Sequence, residues 1–285
     1  MHPLALNVMR LGGPVPATNL DPEAWIAEVR ARGYRAAYCP VNHEAPRELV
    51  AALAAAAQAA DVVIAEVGAW SNPVSVDEAE RRRAIEYCQK QLALADEIGA
   101  RCCVNITGSR GARWDGPHAD NLTPQTFEMI VATIREIIDA VRPRRTYWTL
   151  ETMPWMYPDD PESYVRLLDA IDRPACAAHF DPVNWVSSPQ RYFATADLVR
   201  AGVRALGPRI RSVHVKDITL AGHLMVHLDE VRPGLGSFDH ATLLRELATL
   251  DADLPVMLEH LPTQEEYAEA AAHLRRVAEQ VGVGL

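Results

Sequence analysis

The sequence predicts an α/β fold, a single (β/α)8 TIM barrel in which residues 1–285 form one domain. Eight short apolar segments alternate with amphipathic segments from end to end, and no linker or change in composition divides the chain. Hydrophobic residues make up 49% of the 285 residues, which is enough for a large core. A doubly wound open sheet is the alternative, but the first turn, "RLGGPVPATNL", lacks the GxGxxG phosphate-binding pattern.

The predicted strands are short apolar segments, and helical patterns lie between them. In chain order they are "LALNVMR" (4–10), "YRAAYCPV" (34–41), "VVIAEVGAW" (62–70), "RCCVNITG" (101–108), "RTYWTLETM" (145–153), "CAAHFDPVNW" (176–185), "IRSVHVKDI" (210–218) and "PVMLEHL" (255–261).

Several predicted helices carry clear end signals. In "DPEAWIAEVRARG", Asp21 can cap the helix and Pro22 suits its first turn. Thr123 is the predicted cap of a helix that ends before a proline, and a final helix, "TQEEYAEAAAHLRRVAEQVG", closes the chain. The helix in 76–99 stops at Gly99, and one apolar stripe along it comprises Ala84, Cys88, Leu92, Ala95 and Ile98.

Composition restricts the partners and the compartment. The chain has 38 acidic and 28 basic side chains, a net charge of −10, which argues against nucleic-acid binding because that needs a basic surface. The five cysteines are odd in number and show no CxxC spacing, so reduced thiols in a cytoplasmic protein are expected. We see no secretory signal at the start and no apolar run long enough for a membrane span.

Four consecutive predicted strands carry ionisable residues toward their C-terminal ends, where a barrel of this kind places its active site. They are Glu151, Asp181, His214 and Glu259. Three carboxylates in one pocket repel unless a cation joins them. Oxygen-rich ligation with one nitrogen suits Mn²⁺ or Mg²⁺, and Co²⁺ or Zn²⁺ could also enter. We therefore predict one divalent metal ion, with Mn²⁺ as the first choice.

Each of these residues also has a simpler interpretation. A single Glu or His at a strand end is usually a loop-capping or ion-pairing residue, and only the coincidence on four successive strands favours a metal site. His179, two residues before Asp181 on the same face, is either a buried core histidine or a further ligand.

Five motifs in order resemble the xylose isomerase-like TIM barrel superfamily, and more narrowly its sugar (phosphate) isomerase/epimerase group. They are "LETMPW" around Glu151, "FDPVNW" around Asp181, "HVKD" at 214–217, "PGLGSFDH" at 233–240 and "LEHL" at 258–261. The resemblance covers nearly the whole chain. It implies one catalytic divalent metal held by Glu151, Asp181, His214 and Glu259, and a homo-oligomer in which a partner subunit could complete the pocket.

The resemblance also implies a reaction. In ketose 3-epimerases of this group the two glutamates, here Glu151 and Glu259, transfer protons on opposite faces of the substrate. The chemistry of the residues agrees, because a metal beside a carbonyl and a hydroxyl stabilises an enediolate and makes the intervening C–H acidic. We therefore expect a metal-dependent sugar isomerase or epimerase with a small carbohydrate or glycoside as its substrate.

One departure from the epimerase pattern favours a second activity. The epimerases have a histidine three residues after the aspartate ligand, where this chain has Asn184, and an amide cannot exchange protons near neutral pH. The alternative is a metal-dependent lyase or dehydratase that eliminates water or an aglycone from an oxidised sugar or glycoside. An endonuclease of the related repair family needs more metal-binding histidines, and a sugar-binding barrel without activity would not need both glutamates.

The substrate residues are predicted from the loops that follow the strands. Trp70, Trp114, Trp155 and Trp185 lie in or just before these loops, where aromatic faces suit a sugar ring or an aromatic aglycone, or cover the barrel top. The long loop "SRGARWDGPHADNL" resembles a lid. Asp217 is predicted to be structural. The candidate substrate-binding residues are Asn184, Lys216, Glu230, Arg232, Trp114, Trp155 and His118.

Overall fold

A computed structural model describes residues 8–16 and 21–285 and contains a closed parallel barrel of eight strands. Each barrel strand pairs with its neighbours in sequence, and the last strand closes the barrel by pairing with the first. The strands are β1 Arg10–Gly13, β2 Ala36–Tyr38, β3 Val63–Gly68, β4 Cys102–Asn105, β5 Trp148–Leu150, β6 Cys176–Phe180, β7 Ile210–Val215, β8 Asp217–Leu220, β9 Leu228–Val231 and β10 Pro255–Leu258. All except β8 and β9 belong to the barrel, which confirms the predicted fold class.

Helices surround the barrel and follow its strands. Over the described residues they are α1 Pro22–Ala31, α2 Arg47–Ala59, α3 Glu78–Ile98, α4 Pro124–Val141, α5 Pro161–Ile171, α6 Pro189–Tyr192, α7 Thr195–Leu206, α8 His240–Leu247 and α9 Gln264–Val281. The predicted caps are confirmed, since Asp21 accepts from the backbone N–H of Ala24 and Gly99 ends α3 at a φ of 76°. Thr123 likewise caps α4. In the described part of the chain, no helix combines the length and apolar composition needed to span a bilayer.

The first strand extends further along the sequence than the predicted segment 4–10. Residues 1–7 lie outside the described residues, and the described strand starts at Arg10, where the predicted one ended. Gly12 gives the physical reason, because a Cβ at this position would lie 2.4 Å from the carbonyl oxygen of Ala36 in β2. Only glycine allows β1 and β2 to approach this closely, which explains why the described strand includes the two glycines.

The chain after the seventh barrel strand forms an antiparallel hairpin, β8–β9, which was not predicted. The predicted strand 210–218 therefore splits after Val215. Asp217 holds the segment after the hairpin in place, because its carboxylate accepts backbone N–H groups of Ile218, Gly234, Gly236 and Phe238 at 2.8–3.0 Å. This agrees with the predicted structural role of Asp217.

Candidate metal centre

The barrel brings the four predicted ligands together at the C-terminal ends of its strands, called the mouth below. Glu151, Asp181 and Glu259 each follow directly on a barrel strand, and His214 lies near the end of β7. One donor atom from each lies within 4.8 Å of the others. We call Glu151, Asp181, His214 and Glu259 the ligand cluster. Its members are buried or nearly so, with the Glu259 side chain the most exposed at 11%.

Two cationic or potentially cationic groups lie among the carboxylates of the ligand cluster. The Nδ1 atom of His214 is 3.2 Å from Glu151 Oε1 and 3.0 Å from Glu259 Oε1. The ammonium of Lys216 is 2.8 Å from Asp181 Oδ2 and 2.6 Å from Glu259 Oε1, and its side chain is 2% exposed. His214 lies in β7 and Lys216 directly follows this strand, two residues further on, so both side chains reach the same carboxylates, which explains why "IRSVHVKDI" carries charge in a buried segment.

The surroundings change the pKa values of the cluster. Burial raises the pKa of Asp181 to about 6, against the attraction of the Lys216 ammonium. Burial also opposes ionisation of Glu259, yet His214 and Lys216 hold its pKa well below the usual range. Burial lowers the pKa of His214, but Glu259 and the other carboxylates raise it by more. The pKa of His214 therefore lies well above the usual value for a histidine.

The donor atoms fit a divalent cation. Among the described residues, no donor is aligned to hydrogen-bond with Asp181 Oδ2 or Glu259 Oε1, although both are buried and both face the Lys216 ammonium. Buried carboxylate oxygens without hydrogen bonds are costly unless a positive charge satisfies them. The ammonium of Lys216 already lies between these two oxygens, so the site stabilises positive charge. Three carboxylates and an imidazole could therefore hold a metal ion here.

Glu66 lies beside the ligand cluster and was not predicted. It belongs to β3, its side chain is 1% exposed, and it accepts hydrogen bonds from His179 Nε2 at 2.7 Å and His214 Nε2 at 2.9 Å. These contacts hold the pKa of Glu66 at about 2, although burial opposes its ionisation. A carboxylate inside the apolar strand "VIAEVG" was the signal in the sequence. The carboxylate of Glu66 also explains how His179 can be buried, because the imidazole donates to it.

A cavity of about 520 Å³ opens from the ligand cluster at the mouth, which is large enough for a small organic ligand. Its polar wall includes Asn184, Lys216, Glu230 and His260 beside Glu151 and Glu259. Its apolar wall is formed by Trp70, Ile106, Trp114, Met153, Pro154 and Trp155.

The loops after β4 and β5 hold this apolar wall in place by bonding to each other. The indole N–H of Trp155 donates to the carbonyl of Asp115 at 2.8 Å, and Asn121 donates to the carbonyl of Trp155. Arg113 also pairs with Asp115 at 2.6 Å. The long loop predicted as a lid is therefore braced against the next loop.

Most of the predicted substrate residues line the cavity: Asn184, Lys216, Glu230, Trp114 and Trp155. Asn184 donates to the carbonyl of Thr152 at 2.9 Å and accepts from Lys216 at 3.3 Å. His260, which was not predicted, lies at the rim of the cavity, where its Nδ1 is 3.3 Å from Glu230.

Three predicted positions are not at the cavity. Arg232 turns away and pairs with Glu266 and Glu269 of α9, both at 2.6 Å, because the hairpin delivers the chain to that helix. His118 caps the short helix Ala119–Leu122 through its Nδ1. Trp185 is fully buried against Phe180 and belongs to the core. We therefore assign no substrate contact to Arg232, His118 or Trp185.

A parallel barrel with buried carboxylates and an imidazole at its mouth defines the class of protein. The chain belongs to the xylose isomerase-like TIM barrel family, whose model matches residues 26–277. None of the curated protein sequences is similar enough to this chain to count as a match.

Solved structures with the same fold include two sugar epimerases and a dehydratase. D-Psicose 3-epimerase from Clostridium cellulolyticum H10 has a TM-score of 0.69 at 14% identity, over 96% of this chain and 100% of that one. The 3-keto-D-glucoside 4-epimerase from E. coli has a TM-score of 0.68 at 13% identity, over 94% and 99%. A probable 3-DHS dehydratase from Bacillus anthracis has a TM-score of 0.69 at 16% identity, over 95% and 99%. At these identities the similarity establishes the fold.

Proposed function

We propose that this chain, acting as one domain, is a divalent-metal-dependent sugar isomerase or epimerase that removes a proton next to a carbonyl. The observation that carries the proposal is the ligand cluster, four buried donor side chains beside a 520 Å³ cavity at the barrel mouth. The family supports it, since two of the solved structures named above are sugar epimerases.

Glu151 and Glu259 are the proposed proton-transfer residues, and both line the cavity. Each follows a different barrel strand, and both contact Nδ1 of His214. One carboxylate removes the proton from the substrate carbon, and the other returns it to the opposite face or to the adjacent carbon. When bound, the divalent ion supplies the positive charge that stabilises the enediolate form of the substrate.

The remaining polar residues orient the sugar. Lys216 can donate to a substrate oxygen, and Asn184, held by Thr152, can hydrogen-bond a hydroxyl. Trp114 and Trp155 offer flat faces for the apolar side of the ring. We include Glu230 among the substrate ligands because it lies at the rim, 3.8 Å from the Lys216 ammonium.

A second candidate function is elimination of water or an aglycone from an oxidised sugar or glycoside. It is favoured by Asn184, an amide that cannot shuttle protons, next to Lys216, whose ammonium could protonate a departing oxygen. The apolar wall of tryptophans could accommodate an aglycone, and one solved structure of the same fold is a dehydratase by name.

Incubation with ketoses in D₂O separates the two functions. The Mn²⁺-loaded protein is mixed with a panel of ketoses and oxidised glycosides, and NMR follows the protons next to the carbonyl. Solvent deuterium in an intact isomer or epimer supports the first function, whereas loss of water or aglycone supports the second. Equal activity after treatment with a chelator would contradict both.

The proposal also covers the native metal, the compartment and the oligomeric state of the enzyme. Mn²⁺ is the proposed native metal, and elemental analysis of purified protein checks it. The five cysteines are free thiols, four of them buried, which supports the proposed reducing cytoplasm. A homo-oligomer is proposed from the family resemblance, and light scattering measures it.

A further inference from the structure

Glu66 stands between two histidines that come from distant strands. One of its carboxylate oxygens lies 2.7 Å from His179 Nε2, and the other lies 2.9 Å from His214 Nε2. All three side chains are at most 1% exposed. Water therefore does not compete for these bonds, and the geometry of the carboxylate decides which imidazole nitrogens carry protons.

The contacts of His214 decide which of its nitrogens is free to bind a cation. An ionised carboxylate only accepts hydrogen bonds, so each histidine must present its Nε2 as an N–H donor. A protonated His214 donates from Nδ1 to Glu151 and Glu259 as well, and a cation that binds there displaces this proton. The neutral imidazole that results has only one N–H group, which Glu66 holds on Nε2, so Nδ1 carries the lone pair. That nitrogen is the one that faces Glu151 and Glu259 in the ligand cluster.

We propose that Glu66 is a positioning residue of the metal centre: it holds His214 as the Nε2–H tautomer and aims the Nδ1 lone pair at the cation. The inference rests on the proposed function, because it requires that the ligand cluster binds a metal. A carboxylate that accepts the second N–H of a ligand imidazole fixes the ring orientation and raises the basicity of the ligand nitrogen.

His179 keeps Glu66 in place. Its imidazole meets that of His214 edge to face, with ring centroids 4.1 Å apart, and it occupies the second oxygen of Glu66. Its other nitrogen, Nδ1, is buried without a hydrogen-bond partner among the described residues, so its bond to Glu66 is its only one there. With both oxygens engaged, the carboxylate of Glu66 cannot rotate away from His214.

The same three residues could instead bind a second metal ion, since their donor atoms also lie close together. His214 would then have to bridge two cations through its two nitrogens, and the buried Nδ1–H of His179 would have no acceptor. The distances of 2.7 and 2.9 Å are those of hydrogen bonds between nitrogen and oxygen. The number of metal ions bound separates the two arrangements.

Glu66→Gln tests the proposal, because an amide offers one acceptor and one donor and cannot accept from both histidines. The matched control is Thr149→Val, which removes another buried polar group of the barrel, one whose hydroxyl donates to the Cys103 carbonyl. Mn²⁺ affinity is measured by competition with a fluorescent chelator. We expect one Mn²⁺ per wild-type chain, binding weakened about 10- to 100-fold in Glu66→Gln, and no comparable change in Thr149→Val.

A spectrum of the wild type tests the tautomer without any variant. In ¹⁵N-histidine protein loaded with Mg²⁺ or Zn²⁺, the nitrogen shifts of His214 are expected to show a protonated Nε2. A protonated Nδ1, a second equivalent of tightly bound metal, or unchanged affinity in Glu66→Gln would each overturn the proposal. Failure of the wild type to bind any metal would instead overturn the proposed function.

Discussion

The two ends of the barrel both carry many charges, but they arrange them differently. At the N-terminal end, arginines at or near the strand starts pair with aspartates of neighbouring loops: Arg10 with Asp61 and Asp253, Arg35 with Asp61, and Arg101 and Arg211 with Asp251. These aspartate side chains are 44–61% exposed. At the mouth, the carboxylates of the ligand cluster are at most 11% exposed.

The charges of the two ends also balance differently. Every aspartate of the N-terminal pairs faces at least one guanidinium, and water screens the pair. At the mouth, Glu66 and the three carboxylates of the ligand cluster surround one lysine and two imidazoles, those of His179 and His214. An excess of buried negative charge is costly to maintain, so it indicates a function that uses it, whereas the balanced end serves stability.

The largest expected effect is on turnover, from Glu259→Gln at the mouth. The amide keeps the shape of the side chain but cannot take up a proton, so deuterium exchange into the substrate should fall by roughly 10²–10⁴-fold. Circular dichroism and a cooperative unfolding transition check that the barrel is intact. Undiminished exchange would remove Glu259 as a proton-transfer residue.

Lys216→Met should produce the next largest effect, on stability. The substitution removes the ammonium that contacts Asp181 and Glu259, and leaving buried carboxylates unpaired costs about 3–5 kcal/mol. Urea unfolding of the metal-free protein measures this loss. Added Mn²⁺ should recover part of it in the variant, because the ion supplies positive charge at the same place. A loss below about 1 kcal/mol would show that the buried carboxylates at the mouth do not need the Lys216 ammonium for stability.

Mild acid should remove the contribution of one histidine near the mouth, His240, and leave the N-terminal pairs unaffected. Burial lowers the pKa of His240, whose Nε2 bonds the carbonyl of Lys216 while its Nδ1 faces His273. A histidine with a lowered pKa in the folded state binds its proton more readily when unfolded, so this stability is present above pH 6.5 and is lost as the pH falls below it.

The raised pKa values of Asp181 and His214 favour the folded protein as the pH falls over the same range, so the contribution of His240 has to be measured as a difference between two proteins. From pH 7 to pH 5 we expect the free energy of unfolding to change more favourably in His240→Gln than in the wild type, by less than the Lys216→Met loss, which urea unfolding at both pH values can check. Equal pH slopes for the two proteins would assign the effect to other groups.

The smallest expected effect comes from Asp251→Asn at the N-terminal end. Asp251 contacts Arg101 at 3.2 Å and Arg211 at 2.9 Å, but its side chain is 44% exposed, so the loss of stability should be at most about 1 kcal/mol. Mn²⁺ affinity should be unchanged. A loss as large as that of Lys216→Met would abolish the distinction between the two ends.

Much of the fold could be predicted because local signals encode it. Asp21, Thr123 and Gly99 begin or end helices through bonds to their own neighbours in sequence. The ligand cluster was also predictable, since an ionisable residue at the end of an apolar strand stands out and a parallel barrel gathers its strand ends at one mouth.

Other positions depended on contacts that no local pattern contains. Glu66 is separated by 113 residues from His179 and by 148 from His214, so no local pattern indicates that these side chains bond to each other. Arg232 lies beside the PGxG turn in sequence, yet the hairpin leads it to α9. Trp185 follows a strand as the other loop tryptophans do, but a short helical turn directs its indole into the core.

Apolar periodicity, capping side chains and strand ends are properties of short segments, so the barrel, its caps and the four residues of the ligand cluster could be predicted from the sequence. Three arrangements depend on the folded barrel: Lys216 lies among the carboxylates, Glu66 joins two histidines, and Arg232 leaves the cavity. These arrangements arise when the closing barrel forces buried charges to find partners from distant strands, and that requirement acts on the folded molecule as a whole.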